Sequence, residues 1–197
     1  MKTTTFFMAL CLLTISVKAQ RAHLGFKGGV NISSLHFNDN TPIDSKVGLH
    51  AGILAHIHAS KTWAIQPELL YSLEGAEQTL IGGNNKAKYN LHYLNVPILL
   101  QYMFNNGFRL EGGPQIGFLL SAKTRTGNVT VTNTSNYQST AFSIPLGLGY
   151  LTSSGIGLDA RYVFGLSNIN DDKNGAVIQS NVFQFGLFYQ LSDTKKH

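Results

Sequence analysis

The 197 residues carry a formal charge of +5 and are 43% hydrophobic, yet only 13% are charged, where a soluble domain usually has about 25%. The positive charge is too weak and scattered for a nucleic-acid surface. No apolar run beyond the N-terminus reaches the roughly 20 residues of a membrane helix. One domain rich in glycine and aromatics and poor in charge is left, the composition expected of an all-β chain facing lipid.

The first predicted element is a signal peptide, residues 1–19. Lys2 supplies its positive start and residues 6–17 form an uncharged apolar stretch. Val17-Lys18-Ala19 offers small residues for cleavage before Gln20. Such a stretch is too short to span a bilayer as a helix and reads as a leader to be removed. Leu10 precedes Cys11 where a lipoprotein signal needs a small residue. Cleavage removes Cys11, so residues 20–197 can form no disulfide, and removing Lys2 and Lys18 lowers the charge to +3.

Eight segments of period-two alternation follow, the signature of strands with one apolar face. Residues 23–34 set Leu24, Phe26, Val30 and Ile32 against Lys27 and Asn31, and residues 46–59 set Val47, Leu49, Ile53 and Ile57 against His50, His56 and His58. Residues 63–75 set Ile65, Leu69 and Tyr71 against Gln66, Glu68, Ser72 and Glu74. Residues 89–104 set Leu94, Val96, Ile98, Leu100 and Tyr102 against Asn95 and Gln101. Residues 108–122 alternate Leu110, Ile116, Phe118 and Leu120 with Arg109, Glu111 and Gln115. Residues 141–151, 156–167 and 181–191 continue the pattern, with Asp159 and Arg161 on the polar side of the seventh. Each segment is long enough for the roughly 9–11 residues of a tilted membrane strand.

Alternation alone also fits a soluble sandwich, whose apolar faces meet in a core. Three features favour a membrane barrel, with apolar residues outside and polar residues inside. Short connections at 60–62, 105–107 and 152–155 alternate with long polar ones at 35–45, 76–88, 123–140 and 168–180. The polar face is glycine-rich and carries Lys27, Glu68, Glu74, Arg109, Glu111, Asp159 and Arg161. Buried charges need partners, and a narrow lumen can supply them as an ion-pair network. Trp63, Tyr102, Phe104, Phe108, Tyr150 and Tyr189 gather at one rim, as interfacial aromatics do. The expected fold is therefore a closed, eight-stranded, antiparallel up-and-down transmembrane β-barrel with both termini on the periplasmic side. At this size side chains fill the interior, and Leu54, Leu70, Leu99, Met103, Leu119, Val163 and Phe188 also fall on the inward face.

Several motifs carry a further resemblance. They are Phe26-Lys27-Gly28-Gly29-Val30-Asn31, Pro67-Glu68-Leu69-Leu70-Tyr71-Ser72, Tyr93-Leu94-Asn95-Val96-Pro97, Glu111-Gly112-Gly113-Pro114, and Arg161-Tyr162 followed by Gly165-Leu166 and Asn168-Ile169. In this order, over residues 20–197, the chain resembles the PorT-type outer-membrane β-barrel domain family of Bacteroidetes. The resemblance implies fold and outer-membrane location, and it brings no catalytic residues.

Candidate chemistry is sparse. His23, His56 and His58 fall near one rim and are a weak candidate metal set, against the simpler reading of interfacial polar residues. His36, His92, Asp39, Asp44, Asp171 and Asp172 fall near the other rim without any fixed-spacing nucleophile motif. Asn128-Val129-Thr130 and Asn133-Thr134-Ser135 match a glycosylation pattern but read as a Thr/Asn-rich loop, and residues 171–175 read as a turn. The resulting expectation is a non-enzymatic barrel without cofactor, with a structural or interaction role through its external loops. Its expected partners are outer-membrane lipid, the barrel-assembly machinery and an unidentified periplasmic or extracellular protein, with no nucleic acid. The alternatives are a secretion or assembly accessory, a narrow pore and a rim-sited lipid-modifying enzyme.

Overall fold

The computed structural model describes residues 22–37, 43–79, 86–172 and 177–191. The expected signal peptide and Asp39 lie outside the described residues. Ten strands form in chain order: β1 Ala22–Phe37, β2 Asp44–His58, β3 Trp63–Thr79, β4 Lys86–Met103, β5 Phe108–Gly112, β6 Gln115–Thr126, β7 Val129–Thr132, β8 Thr140–Leu151, β9 Ile156–Gly165 and β10 Ile178–Gln190. All named pairings are antiparallel. β5 and β6 are two parts of one strand, interrupted at Gly113-Pro114, and each bonds β4 on one side and β8 on the other. Counted so, eight strands bond in a ring: β1–β2–β3–β4–β5/β6–β8–β9–β10 and back to β1.

The break in the fifth strand follows from its sequence. Pro114 has no N–H to give to a ladder, and a Cβ on Gly113 would lie 2.1 Å from the carbonyl oxygen of Ile98. The gap is bridged locally, because Ile98 N donates to Pro114 O at 2.9 Å and Gly113 N donates to Pro145 O at 3.2 Å. The other difference from the sequence expectation is β7. It adds to β6 outside the ring, with Val131 opposite Thr124. A register shift opposite His92 and Tyr93 leaves Leu120 unpaired as a bulge. Beyond it the same alternation continues, so β4 and β6 run on past the ring's apolar zone.

The short turns lie at the end where β1 begins and β10 ends, and there Leu191 N donates to Leu24 O at 2.7 Å. Gly107 and Gly155 take φ of 91° and 87° in two of these turns, a left-handed conformation that glycine adopts without steric cost. In the third, Ser60 Oγ accepts from the backbone N–H of Thr62 and Trp63.

Burial separates the two faces. Ile98, Leu146 and Leu187 are 50%, 52% and 59% exposed, while Gln101, Asn31 and Gln184 are 0%, 0% and 1% exposed. Apolar residues therefore coat the outside and polar residues fill the inside, the inverse of a water-soluble sandwich. At the short-turn rim Trp63 stacks edge-on with Tyr102 at 5.1 Å, Tyr102 with Phe104 at 4.9 Å, and Phe108 with Tyr150 at 5.0 Å. Among the described residues no helix is long and apolar enough to cross a membrane.

Candidate functional site

Period-two alternation turns one face of every strand into the ring, and side chains fill the space in tiers. Nearest the short turns are imidazoles and amides. His56 lies edge-on to His58 at 4.6 Å, and His58 to His23 at 5.6 Å. His56 Nδ1 faces Gln66 Oε1 at 3.3 Å and His23 Nδ1 faces the backbone oxygen of Leu191 at 3.4 Å. These rings stack at 77° and 88° instead of converging their nitrogens on one point. Among the described residues no group of three His, Cys, Asp or Glu is arranged to hold a metal, and His23, His56 and His58 lie together as a stacked histidine cluster.

The middle tier is charged. Arg161 on β9 reaches across the ring to Glu68 on β3, donating from Nη1 at 2.7 Å and Nη2 at 2.6 Å to the two carboxylate oxygens. Arg161 Nε donates to Glu111. Lys27 Nζ sits 2.7 Å from Asp159. Amides complete the shell: Gln66 Nε2 donates to Glu68 and Gln101 Nε2 to Glu111, each at 2.7 Å. A bidentate arginine–carboxylate pair is both strong and directional, so this tier ties β3, β5 and β9 together through side chains. Arg109 behaves differently. It makes no carboxylate ion pair among the described residues, and its guanidinium lies 5.4 Å from the centre of the Phe188 ring. Space for the Lys27–Asp159 pair comes from Gly186, where a Cβ would lie 2.9 Å from Lys27 Cε and 3.0 Å from Asp159 Oδ1.

The third tier holds Glu74 among neutral polar groups, with Lys46 Nζ donating to the Glu74 backbone oxygen at 3.2 Å. Asn31 donates to Ser72 Oγ at 2.9 Å, and its oxygen lies 2.7 Å from His50 Nδ1. Glu74 accepts from Ser72 Oγ at 2.9 Å, Asn95 Nδ2 at 3.0 Å and Ser180 Oγ at 3.2 Å. All seven luminal charges named from the sequence are thus inside, but Glu74 stands apart from the other six. A small cavity of about 20 Å³ borders Glu74, Tyr93, Asn95 and Ser143.

The long-loop end is closed by an apolar tier that alternation alone does not reveal. Leu35, Ala76, Leu91, Tyr93, Ala122 and Ile178 converge on Ile169, which comes from the loop after β9 and is 1% exposed. That loop is anchored by Gln138 N to Ile169 O at 2.8 Å and Ile169 N to Ile178 O at 2.9 Å. The described rim candidates His36, His92, Asp44 and Asp171 lie apart, each with its own surroundings. His92 pairs with the Tyr71 hydroxyl at 2.6 Å on the outer face, Asp44 with Lys86 at 3.4 Å, and Asp171 with Gln138 at 2.6 Å. His36, opposite Gln179 on β10, is exposed.

Comparison with known proteins places this geometry. The model of a family described as "outer membrane protein beta-barrel domain" matches residues 17–171. No curated protein matches the sequence. Among solved structures, Neisserial surface protein A is similar at a TM-score of 0.62 and 12% identity, over 87% of this chain and all of that one. The attachment invasion locus protein Ail of Yersinia pestis is similar at a TM-score of 0.52 and 14% identity, over 87% of this chain and 99% of that one. At such identities the likeness is one of fold.

Proposed function

The chain belongs to the outer membrane protein β-barrel domain family, a family of the bacterial outer membrane, and from that premise we propose that it is a sealed, closed, non-enzymatic barrel that acts through its long-loop end. The filled interior carries this reading. Among the described residues histidines and amides, an ion-pair tier, a polar tier and an apolar tier follow one another from one end of the ring to the other and fill its interior. An eight-stranded ring has little interior cross-section to begin with.

The short turns face the periplasm together with both termini, and the long loops face outward, after a signal peptide at residues 1–19 has been removed. At the outward end β4, β6 and β7 extend the sheet beyond the apolar wall and present ordered strand surface to a partner. The motif series from Phe26 to Ile169 favours placement among PorT-type domains of Bacteroidetes, and a role as a secretion or assembly accessory would use the opposite, periplasmic face.

Planar-bilayer recording of the refolded protein tests the sealed reading. We expect no stable single-channel current and no solute uptake into vesicles. Reproducible steps at ordinary voltages, abolished when Gly147 beside Arg161 is replaced by a larger residue, would establish the pore alternative instead.

A further inference from the structure

Outward-facing side chains on β4 change character in order toward the long-loop end: Leu94, then His92, Asn90, Lys88 and Lys86. On β6 the order is Phe118, Leu120, Ser121, Lys123 and Arg125. The register sets these rows side by side, with His92 opposite Ser121, Asn90 opposite Lys123, and Lys88 opposite Arg125. That the cations face outward follows from their neighbours. Leu91 and Ala122, opposite each other, are buried at 1% and 0% exposure, so Lys123 points the other way.

Two cations of this group have acidic company. Lys88 lies 2.9 Å from Glu77, and Lys86 lies 3.4 Å from Asp44 and 3.8 Å from Glu77. Lys123 and Arg125 have no acidic partner among the described residues, and Arg125 Nε donates only to the backbone oxygen of Gly127 at 3.2 Å. Lys88 and Arg125 are like charges placed directly across a strand pair, an arrangement that destabilises a sheet, and Glu77 offsets it only on the Lys88 side.

Height above the apolar wall identifies the anion. Lys123 is three residues beyond Leu120, roughly 10 Å along the strand. With the usual barrel tilt of about 35–45° that is roughly 7 Å above the last lipid-facing leucine, and a lysine stem lets its ammonium reach back toward the interface. The opposite rim has aromatics at this level, with Lys61 as its exposed cation among the described residues. Exposed aromatics also lie toward the long loops, at Phe142, Phe164 and Phe183, so the difference between the two rims is the cationic patch on one side of the long-loop end.

We propose that Lys123 and Arg125, supported by Lys88 and Asn90, form a docking site for the phosphate headgroup of an outer-leaflet lipid. This rests on the membrane-barrel reading above, with the long loops outward. The site holds the lipid laterally against β4 and β6 and supplies a counter-charge to Lys123 and Arg125.

The test uses the refolded protein in phosphatidylcholine vesicles doped with lipid A that either carries its phosphates or has had them removed. The readout is the lipid that stays with the protein through detergent extraction, quantified by mass spectrometry. We expect phosphorylated lipid A to be retained over the dephosphorylated form. Each cation near an anionic headgroup plane is worth roughly a five-fold preference, so K123Q/R125Q should lower the preference about tenfold or more, while K61Q at the other rim leaves it unchanged. Heat-modifiable gel migration confirms that both variants fold. Equal retention of the two lipids, a preference that survives K123Q/R125Q, or full displacement by inorganic phosphate, which would mark a free-anion site, would each overturn the proposal. None of these outcomes bears on whether the lumen conducts, so failure here is separable from failure of the sealed-barrel reading.

Discussion

Replacing Arg161 by Met takes away a guanidinium that two buried carboxylates share. Glu68 and Glu111 would remain at 4% and 6% exposure without their cation, and breaking a buried pair from one side costs about 3–5 kcal/mol. R161M is expected to lose stability of that order in denaturant titrations from lipid vesicles, and E68Q added to R161M should restore part of it. A loss no larger than that of an ordinary surface change would show that the lumen is wet enough to solvate the carboxylates. The inward placement of these charges was legible in the sequence, because period two fixes the face of every residue in a strand. The choice of partners was not. Arg161 meets Glu68 from a strand on the far side of the ring, 93 positions away in sequence, and which levels coincide depends on the stagger of all the intervening pairings. Arg109 shows the same limit, since its inward direction could be read but its seat against Phe188 could not.

Strands were the most legible elements, since eight alternating segments supply the eight members of the ring. The departures have local causes. Gly113-Pro114 splits the fifth strand, a bulge at Leu120 resets β6, and Val129–Thr132 is too short and too polar to stand out from the loop around it. The faces lead to a direct expectation. Ile98, Leu146 and Leu187 lie on the outer wall near its middle, so an arginine at any one should cost about 2–4 kcal/mol in lipid. Val131, also exposed at 55%, lies on β7 outside the ring, and V131R should stay within about 0.5 kcal/mol of the parent. Folding titrations of I98R, L187R and V131R in the same vesicles would measure the contrast. Equal losses at all three positions would contradict the assignment of wall and extension.

On the sealed-barrel proposal, two tiers of the described residues close the lumen, by different physics. At the long-loop end the seal is apolar packing around Ile169, contributed by a loop held to the ring by backbone bonds and by side-chain bonds from Ser167, Asn168 and Asp171. In the middle it is the Arg161, Glu68, Glu111, Lys27 and Asp159 network, contributed by the strands themselves. The loop seal could not be read from alternation, because Ile169 belongs to no strand, whereas the strand seal could. The two should fail independently. I169S removes the apolar anchor and should admit water as far as Leu91 and Tyr93, so a cysteine introduced at Leu91 would react with a small thiol reagent far faster in the I169S background than with Ile169 in place. Bilayer current should nevertheless stay silent, since the ion-pair tier below is untouched. Current is expected only when I169S is combined with R161M/E68Q, which also loosens the middle. Single-channel steps from I169S alone would mean that the charged tier is a permeable polar lining, and that the loop after β9 is the barrel's one gate.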